Sequence, residues 1–441
     1  MGGGLLQLVA YGAQDAYLTG NPQITFWRGL YKRHTNFAME PFRVNLTGQA
    51  NWGVKHSAIL PRHADLVTHA YLEVELPHDG ELVYDESEPI KNLYNLIEYV
   101  EVDIGGQVID RLYGEWLYLW AVLTKPSDEL AKMVKLFGGK TEQDTCGTTG
   151  RPSRGQGSAV SNGAGSPRYF AQAKSGMTYI PLEFWFARNP GAALPLIALQ
   201  YHEVKINILW NKTKLIFSDD GTLGTPALGP KQANLLIDYI YLDVEERRRM
   251  AQESHEYLIE QTQYNEDKGI SSASNRIDLT FNHPIKELVW VTQASAHRDC
   301  RVNNGIITPL DYDDIIYDCS LQINGQDRVP SLPRSYYQYI QPYQHHTGGS
   351  SLVNARGIHC YSFAVRPEEH QPSGTCNFSR IDTSTIVFNV DGSIPIGLDA
   401  TQQVDISGQK TVFSNFDVRV YAINYNILRI MSGMAGLAYS N

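Results

Sequence analysis

One hairpin pattern occurs twice in this chain, and the repetition limits what the chain can fold into. Val100, Val102 and Ile104 alternate with Glu101 and Asp103 and run into Gly105-Gly106. Cys319, Leu321 and Ile323 alternate with Ser320 and Gln322 and run into Asn324-Gly325, 219 residues later. Alternation with period two puts one face of a strand in a core and the other outward. Gly-Gly and Asn-Gly supply the positive φ of a tight hairpin turn. Three further pairs keep the same order. Residues 63–67 (HADLV) resemble 283–289 (HPIKELV), with Leu66 and Leu288 222 residues apart. Glu40 in NFAMEPF resembles Glu260 in EYLIEQT at 220, and DYIYLDVEERRRM, ending at Met250, resembles RVYAINYNILRIM, ending at Met431, at 181. The spacing predicts two copies of one all-β unit, each of roughly 200 residues, meeting near Ala251.

The rest of the chain reads the same way. From residue 66 to 76, Leu66, Thr68, Ala70, Leu72, Val74 and Leu76 fall on one face and His69, Tyr71, Glu73 and Glu75 on the other, which predicts a half-buried strand. Tyr (26), Phe (14) and Trp (7) are abundant, as an all-β fold requires. Helical signals are short: residues 116–123 before Pro126, and a segment starting at Ser127 that carries Leu130, Met133, Val134 and Phe137 and meets Gly138-Gly139. Residues 147–167 are rich in Gly and Ser and predict a long exposed loop, and 218–230 a second.

Charge and composition narrow the function. The 441 residues carry 37 basic and 47 acidic side chains, a net charge of −10, with one basic cluster at Arg247-Arg248-Arg249. A surface built to grip phosphates needs a basic face, so no direct nucleic-acid contact is expected. No apolar run approaches the roughly 18 residues of a membrane span. Residues 1–6 (MGGGLL) lack a charged n-region, and five widely spaced cysteines fit reduced thiols, so synthesis in a cytoplasm is expected.

Enzyme and metal motifs fail on inspection. Phe137-Gly138-Gly139-Lys140-Thr141 lacks the first glycine of a phosphate-binding loop, since Val134 stands there. None of the thirteen histidines forms an HxH pair, and His345-His346 and His359-Cys360 lack partners at zinc-site spacing. Asp311, Asp313 and Asp314 lack the glycine and glutamate of an EF-hand. No catalytic residue, metal or cofactor is expected. Asn45, Asn211 and Asn377 stand in glycosylation sequons that, without a secretory signal, read as chance occurrences.

Residues 8–26 (LVAYGAQDAYLTGNPQITF) resemble the N-terminal signature of the major capsid proteins of nucleocytoplasmic large DNA viruses. Residues 97–110, 194–206, 242–261, 321–328, 366–382 and 424–441 carry the likeness along the whole chain. The resemblance implies two tandem eight-stranded antiparallel jelly rolls, with an N-terminal base segment (1–27), a first jelly roll (28–250) and a second (251–441). It implies a homotrimer of pseudo-hexagonal outline that tiles an icosahedral shell. Neighbouring capsomers, minor capsid and penton proteins are the implied partners, with an inner viral membrane reached through the minor proteins. Tyr11, Gln14, Asp15, Tyr17, Asn21 and Pro22 would lie at the capsomer base, and Arg151, Arg154 and Asn162 in an outer loop. An alternative for the base is that Tyr11, Tyr17 and Phe26 simply pack under the first barrel. The stretch 297–314 is short where relatives carry insertions, and Trp27 stands where Phe is frequent. A rival of a different class, a soluble jelly-roll carbohydrate-binding protein, shares the strand pattern and the tyrosines; it would bind glycans as a monomer.

Overall fold

The computed structural model describes residues 12–22, 26, 33–75, 93–136, 177–212, 229–295, 312, 314–348, 357–391 and 415–439. The chain divides into a short unit, Met1–Phe37, and a large one, Ala38–Asn441. In the short unit the described secondary structure is a five-residue helix, Asp15–Thr19.

Among the described residues the main strands of the first half, besides the two-residue strand Leu194–Pro195, are β1 (Phe37–Asn45), β2 (Lys55–Ile59), β3 (Leu66–Glu75), β4 (Ile97–Ile104), β5 (Gln107–Tyr113), β6 (Met177–Pro181), β7 (Val204–Trp210) and β8 (Gln232–Leu242). Those of the second half, besides the short strands Cys376–Asn377 and Met434–Leu437, are β9 (His255–Ile270), β10 (Ser274–Asp278), β11 (Pro284–Ala294), β12 (Ile316–Ile323), β13 (Gln326–Pro333), β14 (Ile358–Ser362), β15 (Ser384–Val390) and β16 (Phe416–Met431). The first set pairs as β1-β8-β3-β6 and β2-β7-β4-β5, the second as β9-β16-β11-β14 and β10-β15-β12-β13. Each strand of the first set has its counterpart eight strands later. Every sheet is antiparallel where its register is defined, and the two sets are two jelly rolls in tandem.

The repeated hairpin is the anchor of this symmetry. Gly105 and Gly106 have φ of 62° and 90°, and Asn324 and Gly325 of 50° and 74°. Two consecutive positive φ values match the right-handed twist of the flanking strands. The 219-residue spacing is structural, because Ile104 pairs with Gln107 as Ile323 pairs with Gln326.

Two of the other sequence matches need correction. In β3 a one-residue bulge separates the pair Val67–Tyr239 from Ala70–Ile237, and in β11 the same bulge separates Ile285–Asn424 from Leu288–Ala422. The counterpart of Leu288 is therefore Ala70, not Leu66, and that of Ala422 is Ile237. The bulge also rotates the strand, so Val67 rather than Thr68 joins the hydrophobic cluster. β3 is half-buried, with His69, Tyr71 and Glu75 partly exposed, but Glu73 on the same polar face is 1% exposed beneath Arg43. The likeness of 238–250 to 419–431 ends where β8 ends, since Val244–Gln252 is a helix and β16 continues as strand to Met431.

Both predicted helices form, as α1 (Gly114–Thr124) and α2 (Ser127–Leu136), α2 with Met133 buried. Phe137, Gly138 and Gly139, and the loops 147–167 and most of 218–230, lie outside the described residues.

The position of α1 explains its composition. It is apolar all round and buried from Trp116 to Leu123, which a helix tolerates only inside a core. It lies against the β9-β16-β11-β14 sheet of the second barrel, with the Trp116 ring 5.4 Å from Tyr421. That sheet is consequently buried on both faces. Leu288, Trp290, Val418, Val420 and Ala422 point into the second core, while Val289, Val291, Tyr421 and Ile423 join the cluster of the first. Gly114 starts the helix because a Cβ there would lie 2.2 Å from the Ile97 carbonyl oxygen and 2.3 Å from that of Tyr94.

A sheet shared in this way couples the barrels. Phe388→Ala, which empties a ring from the second core, is expected to cost about 3–5 kcal/mol. Urea unfolding followed by fluorescence and circular dichroism should remain one transition at a lower midpoint. Two separated transitions would mean that the barrels are energetically independent.

Candidate functional site

Burying a sheet on both faces puts the polar groups of the seam where an unpaired charge or unmade hydrogen bond is costly. Arg419 on β16 forks onto Glu115 of α1, with Nε and Nη2 each 2.7 Å from a carboxylate oxygen. Tyr421 donates its hydroxyl to the same carboxylate at 2.5 Å, and Gln293 accepts from Arg419 at 2.9 Å. Burial works against the guanidinium charge, but Glu115 more than compensates and holds its pKa above the ordinary value.

A second group sits around Glu260 on β9. Lys286, wholly buried, lies 2.5 Å away and Arg188 of the first barrel 2.9 Å. Burial pushes the Glu260 carboxyl up, and Arg188 and Lys286 together bring it below its usual range. Arg188 also stacks 5.2 Å above the Trp120 ring of α1. Nearby, Asp110 on β5 accepts from the Thr262 N–H at 3.1 Å and the Arg111 N–H at 2.9 Å. Burial pushes its carboxyl up to about 7.

A third group closes the seam's far end. His346 Nε2 lies 2.6 Å from Glu287 Oε1 and its Nδ1 3.1 Å from Glu368. Burial disfavours its charge, yet Glu287 and Glu368 raise its pKa well above the ordinary value. Thr347 and Gly348, the next two residues, bond the carbonyls of Thr124 and Leu123 at the end of α1. Glu287, His346 and Cys360 also place one potential ligand atom each within 4.8 Å of the others. The sequence reading missed this cluster because its members come from β11, β14 and the segment after β13, with no local spacing to betray it.

The residues singled out from the sequence are placed as follows. Gln14, Tyr17, Asn21 and Pro22 are exposed around the helix Asp15–Thr19, and Asp15 accepts from the Gly12 N–H at 2.8 Å. Tyr17 is 91% exposed and Leu18 84%, which leaves a bare apolar pair on this segment. Tyr11, Arg151, Arg154 and Asn162 lie outside the described residues. Asn45 is exposed at the end of β1; Asn377 is exposed and accepts from the Ser379 N–H. Asn211 commits its amide nitrogen to the Asn95 carbonyl at 2.7 Å.

The chain after β13 mirrors α1 with one difference. A π-helical turn, Tyr336–Ile340, and a short helix, Gln341–His345, follow the strand as α1 follows β5. Tyr337 is buried in its own core, but Tyr339 (46%), Ile340 (44%) and Tyr343 (84%) are open to solvent.

These buried charges carry two expectations. Glu115→Gln removes the carboxylate charge while Arg419 stays buried, which should cost about 3–5 kcal/mol by chemical denaturation. Asp110 binds a proton more tightly folded than unfolded, so its contribution is complete below its unfolded value near 4 and is lost as pH rises to about 7. The unfolding free energy of Asp110→Asn, compared with that of the parent from pH 4 to 7.5, should lack this downward slope.

Comparison with known proteins places this architecture. Residues 25–243 match the model of the major capsid protein N-terminus, and 246–436 that of the large eukaryotic DNA virus major capsid protein. The major capsid protein of Pyramimonas orientalis virus is 42% identical and that of Phaeocystis pouchetii virus 38%, each over all of both chains. Among solved structures, the chain superposes on one from the quasi-atomic model of the PBCV-1 virus capsid with a TM-score of 0.72 and 32% identity, covering 95% of this chain and all of that one. The Faustovirus major capsid protein, at 13% identity and a TM-score of 0.65, shares the fold. The chain belongs to the major capsid protein family of large eukaryotic DNA viruses, and its role is structural, as a double jelly-roll subunit of the virion capsid.

Proposed function

We propose that three copies of this chain close into a ring of six barrels, and that the contact between chains repeats the seam within a chain. The observation that carries this is the inequality between the two outward sheets. Tyr421, Ile423 and Val289 of the second barrel are buried under α1, whereas their counterparts Leu236, Asp238 and Tyr71 in the first barrel are partly exposed. The segment equivalent to α1, residues 336–345, ends in the exposed Tyr339, Ile340 and Tyr343. In the trimer this segment of one chain covers the Leu236 face of the next. A head-to-tail contact of this kind closes only if its rotation divides the circle, and six quasi-equivalent barrels from three chains satisfy that. Obligate contacts of this class bury on the order of 2,000 Å² or more.

The trimer is then the tile of the shell, with boundaries between base segment, first and second jelly rolls near residues 27 and 250. Exposed Tyr17 and Leu18, together with Tyr11, Gln14, Asp15, Asn21 and Pro22 of the same segment, meet neighbouring capsomers and the minor capsid and penton proteins. Through those minor proteins the shell meets the inner membrane. Arg151, Arg154 and Asn162 face outward. The chain is made in the host cytoplasm, acts without catalysis and does not touch the genome.

The test is mass by size-exclusion chromatography with light scattering. The parent chain should elute at three times its 49.5 kDa, and Ile340→Asp combined with Tyr343→Glu at the monomer mass with an unchanged far-ultraviolet spectrum. A double variant that stays trimeric places the interface elsewhere. A parent chain that is a stable monomer and binds glycans on an array would favour the carbohydrate-binding reading.

A further inference from the structure

We infer that Glu287, His346 and Cys360 form a buried binding site for a zinc-class divalent cation, which ties the segment after β13 to β11 and β14 of the second barrel. The donor set is one carboxylate oxygen, one imidazole nitrogen and one thiol, the mixture of intermediate and soft ligands that selects zinc over calcium or magnesium. All three residues are buried: the side chains of Glu287 and His346 are inaccessible, and Cys360 is 1% exposed.

Two further observations point to an ion. Glu287 Oε2 is buried and has no hydrogen-bond partner among the described residues, so the carboxylate keeps one acceptor unanswered in a place where that is costly. His346 presents Nε2 to the cluster while its Nδ1 faces Glu368 Oε1 at 3.1 Å. This is the outer carboxylate that fixes the tautomer and orientation of a metal-bound histidine. Thr347 braces Glu368 in turn, with its N–H at 2.8 Å and its hydroxyl at 2.9 Å.

Size and charge agree. Bonds of about 2.0–2.3 Å in a tetrahedron separate the ligand atoms by roughly 3.3–3.6 Å. The three donor atoms already lie within 4.8 Å of one another, and His346 Nε2 and Glu287 Oε1, now 2.6 Å apart, need to open by less than about 1 Å. Binding would displace the proton between His346 and Glu287 and the thiol proton of Cys360, two charges exchanged for two, so the buried net charge is unchanged. Three protein ligands leave a fourth coordination position, open to a water or to a chelating turn of the Glu287 carboxylate.

The full-length chain, produced with zinc in the medium, should carry about one zinc per chain by inductively coupled plasma mass spectrometry. Cys376→Ser, at a thiol outside the cluster, should carry the same, and Cys360→Ser and His346→Ala less than a tenth. Production with cobalt gives a readout that needs no variant to fold: the parent protein should show the intense near-ultraviolet thiolate-to-cobalt band, present in Cys376→Ser and absent in Cys360→Ser. Parent protein with zinc below a tenth of an equivalent and no thiolate-to-cobalt band would overturn the site and leave an imidazolium held between two carboxylates. Metal retained in full by Cys360→Ser would overturn it as well.

Discussion

The centre of the β9-β16-β11-β14 sheet, β11 over 285–293 and β16 over 416–426, has no solvent face, and much of the rest of the molecule follows from that. A strand buried on both sides cannot alternate apolar with polar residues, and β16 is buried from Phe416 to Asn426 without a break. The polar groups it carries into the seam, Arg419 above all, must be neutralised in place, which Glu115 does from the first turn of α1. The helix that delivers Glu115 is itself enclosed, so it is apolar on every side and begins at a residue with no Cβ. Sequence, sheet, helix and ion pair form one chain of requirement. Replacing such a pair by well-packed apolar groups need not weaken a protein, whereas removing one partner does. The role this suggests for Glu115 and Arg419 is fixing the register of one barrel on the other.

The fold was largely legible in the sequence. The two hairpins are visible because Gly-Gly and Asn-Gly turns are local chemistry, and their spacing survives in the structure without adjustment. The match built on Leu66 fell in the right strand but out of register, and the one built on Met250 ran from β8 into the helix that follows it. Apolar residues recur every second position along such a strand, so a likeness between two strands can slip by an even number of residues and leave no compositional trace, and the helix after β8 has a sequence that looks like the continuation of β16. Glu73 read as a solvent residue because its partner Arg43 is 30 positions away. The same reason hid the seam. Arg419 and Glu115 are 304 residues apart, and the Glu287–His346–Cys360 cluster spans 73 residues, so neither can be found by spacing.

Duplication gives this chain two similar surfaces with different fates. One outward sheet is covered within the chain, and its counterpart, with Tyr71, Leu236 and Asp238, is not. The differences between the copies are informative: α1 is buried from Trp116 to Leu123, whereas residues 336–345 keep Tyr339 and Tyr343 at the surface. Tyrosine suits that position, being apolar over most of its surface while its hydroxyl tolerates water before assembly.

The most direct measurement is a near-atomic reconstruction of the assembled particle by cryo-electron microscopy, read at the contact between chains. The account predicts residues 336–345 of one chain lying across β8 and β3 of the next, with Tyr343 buried and the barrels related by a near-sixfold rotation. Density that leaves Tyr339, Ile340 and Tyr343 in solvent, or that places another surface against Leu236, would contradict it.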